Sequence, residues 1–145
     1  MTDTETQPAA DAPDHRTVHR AAATADSSGV RSDDGSVEVS LAMAGDADAT
    51  SGTTSPEHLM AAALAGCLQQ AVRIAASSLG DTASEPTVEA VVTLRTDQGS
   101  GYSASFDRTV SGLDGEHADD VLTQATTLCP FTTALEGRSL TVSRG

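Results

Sequence analysis

Lysine and tryptophan are absent from this chain of 145 residues, and the only aromatic residues are Tyr102, Phe106 and Phe131. The 8 basic residues, all of them Arg, are outnumbered by 21 acidic ones, which gives a formal net charge of −13. Such an acidic protein repels phosphate groups, so the composition argues against nucleic acid and anionic membranes as partners. Small apolar side chains each bury little surface in a core, so dimerisation is one way for such a chain to bury more apolar surface.

Long apolar runs and targeting signals are lacking as well. The longest nearly uncharged stretch, residues 59–72, contains Gly66, Cys67 and two Gln residues, and it is shorter than the roughly 20 apolar residues of a membrane span. Residues 1–14 have no basic n-region and no apolar h-region. We therefore expect no membrane span, no secretory signal and a cytoplasmic location.

The length of the chain is typical of about one domain. Residues 1–16 are acidic, contain two prolines and have low hydrophobicity, which predicts a disordered leader. We therefore expect one folded domain over residues 17–145.

The first part of that predicted domain has the pattern of β-strands. Residues 18–25 form a short Ala-rich run, and residues 36–43 alternate polar with apolar side chains, as half-buried strands do. Turn-forming residues lie between the two runs, at 26–29 and 33–35. The pattern predicts a hairpin.

A long helix is predicted next. Ser55 can cap a helix, Pro56 suits its first position, and Glu57 complements the positive end of the helix dipole. Apolar residues then recur every three or four positions as far as Ala75, on one wide face. The spacing predicts a largely buried central helix that ends near Ser77.

Strands and helices alternate in the remaining sequence. Residues 87–96 and 102–110 predict a second hairpin, and residues 114–128 predict an amphipathic helix. A short helix over residues 132–136 and a last strand over residues 140–142 are expected to follow. This order predicts an α+β protein whose helices pack on antiparallel sheet.

Cysteine is scarce, with Cys67 and Cys129 only, and no Cys-x-x-Cys motif is present. That absence excludes a thioredoxin-like motif and a zinc knuckle, and because the four His residues are scattered we expect no metal site. Cys67 lies on the apolar face of the predicted helix, whereas Cys129 lies at a helix junction where free backbone N–H groups favour a thiolate. Each cysteine is either structural or reactive, and their separation along the chain does not decide whether they meet.

Two motifs resemble those of one protein family. Residues 54–68, TSPEHLMAAALAGCL, resemble the signature of the OsmC/Ohr family, which reads approximately T-[NS]-P-E-x-L-x-A-A-x-x-A-x-C. Residues 128–131, LCPF, resemble the second cysteine motif of that family. The resemblance covers residues 18–142. It includes the order of the two motifs, the spacing between them and the order of the predicted helices and strands.

The resemblance implies an α+β OsmC-like fold, with antiparallel sheets packed on a long central helix and a second helix. It implies an intertwined homodimer with active sites at the subunit interface. The implied activity is that of a thiol peroxidase for organic hydroperoxides, with Cys67 as the peroxidatic and Cys129 as the resolving cysteine. An external dithiol, typically a dihydrolipoyl protein in the Ohr branch, would reset the disulfide, and no bound cofactor is implied.

A cation is needed where a thiolate forms in an apolar pocket. The family uses an Arg held by the Glu of its signature, which corresponds to Glu57. No Arg stands at the matching position, where Asp26 or Ser27 falls. Arg31 of the same loop and Arg20 of the preceding strand could each reach the pocket, and we take Arg31 as the candidate. Phe131 stands where Ohr members often carry Tyr.

Two functions remain open at this stage. The first is the peroxidase, with a substrate pocket lined by Leu59, Met60, Leu64 and Phe131. The second is a non-catalytic OsmC-like protein that binds a small apolar ligand or senses redox state. A pKa of Cys67 near or above that of a free thiol, about 8.5, would favour the second.

Overall fold

The structure, a computed structural model, describes residues 16–43, 45–81, 85–97, 99, 101–136 and 140–145. Residues 1–15, almost all of the predicted leader, lie outside the described residues. The chain has two compact units, residues 1–41 and 42–145. The leader and the single domain over residues 17–145 stay predictions.

Three short antiparallel strands make up the first unit: β1 (Ala23–Asp26), β2 (Gly29–Ser32) and β3 (Glu38–Leu41). The expected hairpin of two strands is therefore wrong, because β2 lies between the two predicted turns. The four residues of β2 include a single large apolar side chain, Val30, and this is too little for a period of two to be visible in the sequence.

The turn between β1 and β2 depends on two residues. The Asp26 carboxylate accepts hydrogen bonds from the backbone N–H and the hydroxyl of Ser28. Gly29 has a φ of +135°, and a Cβ at this position would collide with the carbonyl oxygen of Val39. Only glycine lets β2 approach β3 so closely.

Helices pack on a three-stranded sheet in the second unit. A short 3-10 turn (Ala49–Ser51) and β4 (Thr53–Thr54) lead into α1 (Pro56–Ser78). The hairpin of β5 (Thr87–Asp97) and β6 (Gly101–Ser111) follows, then α2 (Ala118–Leu128), α3 (Pro130–Ala134) and β7 (Leu140–Arg144). The strand order of the sheet is β5-β6-β7.

The pairing of β7 corrects the expectation of purely antiparallel sheet. β5 and β6 are antiparallel, with Val92 opposite Phe106, whereas β7 runs parallel to β6. The reason is the connection: α2 and α3 lie between β6 and β7, and a crossover of this kind returns the chain in the same direction.

Helix α1 begins and ends as its sequence indicates. The hydroxyl of Ser55 accepts the backbone N–H of His58, and Pro56 occupies the first turn. Gly80, with a φ of +79°, follows the end of the helix. α1 packs against α2 and β5.

Among the described residues, α1 is the one helix long and apolar enough to cross a membrane by length and composition, with a mean hydropathy of 1.4. This differs from the expectation drawn from residues 59–72, because the helix extends beyond that stretch at both ends. The helix also supplies buried residues to the core of its unit. A core helix of a soluble protein can have the same length and apolar composition.

The core of the second unit is built mainly from small and medium-sized side chains. It lies between α1, the inner face of β6 and α2, and it includes Cys129. The buried members are Leu68, Ala71, Val72, Ala75, Ala76, Val110, Leu113, Ala118, Val121, Ala125 and Cys129.

Candidate active site

The two cysteines meet in the second unit. The Sγ atoms of Cys67 and Cys129 are 3.2 Å apart, and both thiols are free. Cys67 lies in the middle of α1 and is half-buried, whereas Cys129 lies between α2 and α3 and is 0 % exposed. The fold thus joins two thiols that are 62 residues apart in sequence, one in reach of solvent and the other enclosed.

Arg108 on β6 completes this cluster. Its side chain is also 0 % exposed, and its Nη1 donates to Cys129 Sγ at 3.6 Å. The second guanidinium nitrogen, Nη2, donates to the hydroxyl of Thr132 on α3 at 2.6 Å. Arg108 therefore fixes the junction of α2 and α3 against the sheet.

The surroundings change the two thiols in opposite directions. Burial raises the pKa of Cys67, as does its hydrogen bond with Cys129, and a hydrogen bond from the backbone of Phe131 and the charge of Arg108 oppose this only in part. Burial also opposes the ionisation of Cys129, but hydrogen bonds from Thr132, Cys67 and Arg108 outweigh it and lower its pKa to about 7. Hydrogen bonding therefore favours the thiolate of Cys129, whereas burial favours the protonated form of Cys67.

Sequence reasoning missed Arg108 as a member of the site. A signal was present, because alternation along β6 puts Arg108 on the same face as Phe106 and as the buried Val110. A charged residue between two inward positions is uncommon and marks a special site. The sequence pattern alone does not say that α3 brings Cys129 and Thr132 to it.

Arg31, the candidate cation from the resemblance, belongs to the first unit. It lies on β2, its side chain is 48 % exposed, and its Nη2 is 2.9 Å from the Asp26 carboxylate. That hydrogen bond raises the pKa of Arg31 and lowers the pKa of Asp26. A role for Arg31 at the thiols stays a prediction.

Glu57 lies in the first turn of α1, half-buried, and lines a small cavity of about 210 Å³ together with Ala61 and Ala90. Because α1 is one continuous helix, the ten residues from Glu57 to Cys67 span about 15 Å, so the carboxylate does not touch the thiol. Its role through an Arg stays a prediction, which an unchanged peroxidase rate in Glu57→Gln would contradict.

The four residues predicted to line a substrate pocket differ in exposure. Leu64 is completely buried, Leu59 and Met60 are half-buried, and Phe131 is 41 % exposed beside Cys129. Their joint role as a pocket stays a prediction. In the described part of the chain, no group of three or more His, Cys, Asp or Glu side chains is arranged to hold a metal ion.

Comparisons with known proteins agree with this architecture. The family model of OsmC-like proteins matches residues 45–143. An organic hydroperoxide resistance protein-like protein of Mycoplasma pneumoniae is 36 % identical over 78 residues, which are 52 % of this chain and 56 % of that protein. The match therefore spans just over half the length of this curated relative.

Solved structures give a fuller match. The organic hydroperoxide resistance protein OhrB of Bacillus subtilis is 26 % identical and superposes with a TM-score of 0.72, over 87 % of this chain and 96 % of that one. An organic hydroperoxide resistance protein from Elizabethkingia anophelis, with thiocyanate bound, is 26 % identical with a TM-score of 0.68, over 90 % and 100 %. The α+β arrangement of sheets and helices is the one in these proteins, and the chain belongs to the family of OsmC-like proteins.

Proposed function

We propose that this protein is a thiol peroxidase that reduces organic hydroperoxides and forms a disulfide between Cys67 and Cys129. The observation that carries the proposal is the 3.2 Å distance between the two sulfur atoms. A disulfide bond is about 2.05 Å long, so an approach of roughly 1 Å closes it. The likeness to organic hydroperoxide resistance proteins supports the substrate class.

The roles of the two thiols follow from access. Cys67 is half-buried and so can meet a hydroperoxide, whereas Cys129 is enclosed and has the Cys67 thiol within reach. In the proposed reaction Cys67 attacks the distal peroxide oxygen and becomes a sulfenic acid, which Cys129 captures as a disulfide. An external dithiol, such as a dihydrolipoyl protein, then reduces the disulfide.

The second candidate, a non-catalytic member that binds a small apolar ligand or senses redox state, has one observation in its favour. Burial raises the pKa of Cys67, and a protonated thiol is a poor nucleophile. The peroxidase therefore requires a group that takes the proton from Cys67.

The two candidates are distinguished by the stoichiometry of oxidation. Pre-reduced protein is mixed with one equivalent of cumene hydroperoxide, and peroxide loss and free thiols are followed together. A peroxidase loses two thiols per chain as the peroxide disappears. Cys67→Ser abolishes both changes, whereas Cys129→Ser stops at the sulfenic acid of Cys67 with one equivalent of peroxide and proceeds to the sulfinic acid with a second equivalent. Thiols that stay reduced while the peroxide persists would contradict the peroxidase and favour ligand binding.

The assembly proposed with this activity is a cytoplasmic homodimer. Two apolar side chains of the second unit are exposed, Ile74 by 59 % and Val91 by 45 %. Their exposure supports the proposal that a second subunit covers this surface. Sedimentation velocity on the full chain tests this: a single species at twice the mass of 14.7 kDa is expected, and a monomer at micromolar concentration would contradict it.

A further inference from the structure

The guanidinium of Arg108 lies in an unusual environment for a buried cation. The ion pairs found among the described residues involve Arg31, Arg144 and His117, and Arg108 has no carboxylate partner there. Its Nε is buried and has no hydrogen bond to the part of the chain that the structure describes. Within that part, the other two nitrogens donate to two neutral groups, the Thr132 hydroxyl and the Cys129 thiol.

A buried charge is retained only where an opposite charge or a full set of hydrogen bonds offsets its loss of hydration. Arg stays protonated in proteins, so Arg108 cannot lose its charge. Of its two partners only Cys129 can ionise. The thiolate of Cys129 is therefore the anion that completes the environment of Arg108.

We propose that Arg108 is the cation of the dithiol site and that it acts through Cys129, which it holds as a thiolate next to the Cys67 thiol. This inference rests on the proposed peroxidase and adds a positioning residue to it. It differs from the role that the resemblance implies for an Arg, which is to activate the peroxidatic cysteine directly.

The Cys129 thiolate then serves as the base for Cys67. As the Cys67 sulfur attacks the distal oxygen of ROOH, its proton moves to the Cys129 sulfur, which is 3.2 Å from the Cys67 sulfur, and the O–O bond breaks. The alkoxide takes up that proton and leaves as ROH, so that Cys67 is oxidised to the sulfenic acid and the Cys129 thiolate is restored. That thiolate attacks the sulfenic sulfur, the S–S bond forms, and hydroxide leaves.

Arg108 also acts in the reductive half of the cycle. A thiolate of the external dithiol attacks Cys67, the half-buried sulfur, and Cys129 leaves as the thiolate that Arg108 stabilises. The second thiol of the reductant then frees Cys67 as a thiol. Disulfide exchange is faster when the leaving thiol is the more acidic one, so the cation on Cys129 speeds this step.

The charged or titratable groups that act on Cys129 come from two elements. Cys67 faces it from α1 and Arg108 from β6, while α3 contributes the uncharged Thr132. The acidic residues of α2, Asp119 and Asp120, lie in the first turn of that helix, at the end remote from Cys129. Replacing Arg108 therefore removes the one cation in this set.

The test uses Arg108→Gln, Arg108→Lys and, as a matched control, Arg95→Gln. Arg95 lies on the neighbouring strand β5, is exposed and donates to Ser105. Each variant is made in the Cys67→Ser protein, where Cys129 is the only thiol, and the thiolate absorbance near 240 nm is titrated with pH. Arg108→Gln is expected to raise the midpoint of this titration by about one pH unit or more. Arg108→Lys keeps the positive charge and is expected to bring the midpoint most of the way back to that of the parent.

A second measurement tests the role of Cys129 as the leaving group in disulfide reduction, and it needs no peroxide. The disulfide is formed with diamide in full-length protein that has both cysteines, and its reduction by dithiothreitol is followed at pH 7. Arg108→Gln is expected to slow reduction by about threefold or more, Arg108→Lys to recover the rate, and Arg95→Gln to match the parent.

The two measurements separate this inference from the peroxidase. A midpoint and a reduction rate that are unchanged in Arg108→Gln, or changed equally in Arg95→Gln, would overturn it. If Arg108→Gln does not fold, Arg108→Lys decides alone, since a midpoint raised as far as that of a free thiol would contradict a role for the charge. Shifts as expected in a protein that leaves cumene hydroperoxide intact would support the inference and refute the peroxidase.

Discussion

The two arginines of interest, Arg31 and Arg108, belong to different units and have opposite environments. Arg31 is exposed and has a carboxylate partner, Asp26, in its own hairpin. Arg108 is completely buried and has a thiol and a hydroxyl where a carboxylate would be expected. Water hydrates the first pair and screens its attraction, whereas burial removes Arg108 from bulk solvent, so its charge is screened much less.

This comparison shows that the location of a charge decides its chemistry. An exposed arginine with a carboxylate needs nothing further, so its presence in a loop says little about reactivity. A buried arginine without a carboxylate favours the ionised form of any acid that touches it, and Cys129 is that acid.

The largest effect is expected in a double-mutant cycle between Arg108 and Cys129. Arg108→Met, Cys129→Ala and the double variant are unfolded with urea in the reduced state at pH 8.5. We expect a coupling free energy of about 2 kcal/mol, because each single change leaves a buried group without its partner. Additive single effects would contradict a charge interaction between the two side chains.

The pH dependence of stability is the next effect in size. The pKa of Cys129 is lowered to about 7, below the roughly 8.5 of an unfolded cysteine, so the folded state binds fewer protons in this window. The free energy of unfolding of the reduced protein should therefore rise by about 1 kcal/mol from pH 6 to pH 8, and this gain is lost as the pH falls through 7.

The raised pKa of Cys67 acts above this window and in the opposite sense, because it contributes stability that is lost at high pH. Cys129→Ser is the control for the lower window, since it removes the titrating thiol and should flatten the rise between pH 6 and pH 8. An equal rise in that variant would assign the pH dependence to another group.

A smaller effect is expected from Thr132→Val, which keeps the shape of the side chain but removes the hydroxyl that accepts from Arg108. The free energy of unfolding should fall by about 1 kcal/mol, as for a typical hydrogen bond, because this contact is only partly buried. Thr133→Val on the same helix is the control, because Thr133 is exposed. Urea unfolding at pH 8 measures both, and equal losses would argue against a specific contact at Thr132.

The smallest effect is expected at the exposed pair. Arg31→Gln should leave the urea midpoint within experimental error at physiological salt, because solvent screens the Arg31–Asp26 attraction. The peroxidase rate should also fall less than in Arg108→Gln. A larger loss of rate in Arg31→Gln would favour the alternative that Arg31 enters the site.

Much of the second unit could be predicted from the sequence because its signals are local. The Ser55 cap, the following proline and the apolar period define α1, and the period of two defines the hairpin of β5 and β6. The signature around Cys67 indicated the family, which the match over residues 45–143 confirms. Local physics and a motif were sufficient for these features.

The rest depends on contacts between distant segments. The parallel pairing of β7 follows from how α2 and α3 cross the sheet, and the approach of Cys129 to Cys67 follows from the same crossover. Alternation along β6 puts Arg108 inside, but its partners come from the α2–α3 junction, 21 and 24 residues later. No local pattern encodes those distances.

The central claim is that Cys129, held by Arg108, is the thiolate of the resting pair, and NMR of each thiol tests it most directly. Reduced full-length protein carrying [3-¹³C]cysteine is titrated with pH, and the two Cβ resonances are assigned with Cys67→Ser and Cys129→Ser. The account predicts a pKa of about 7 for Cys129 and a pKa above the ordinary value for Cys67. If Cys67 ionises first, Arg108 does not act through Cys129 and the account is wrong.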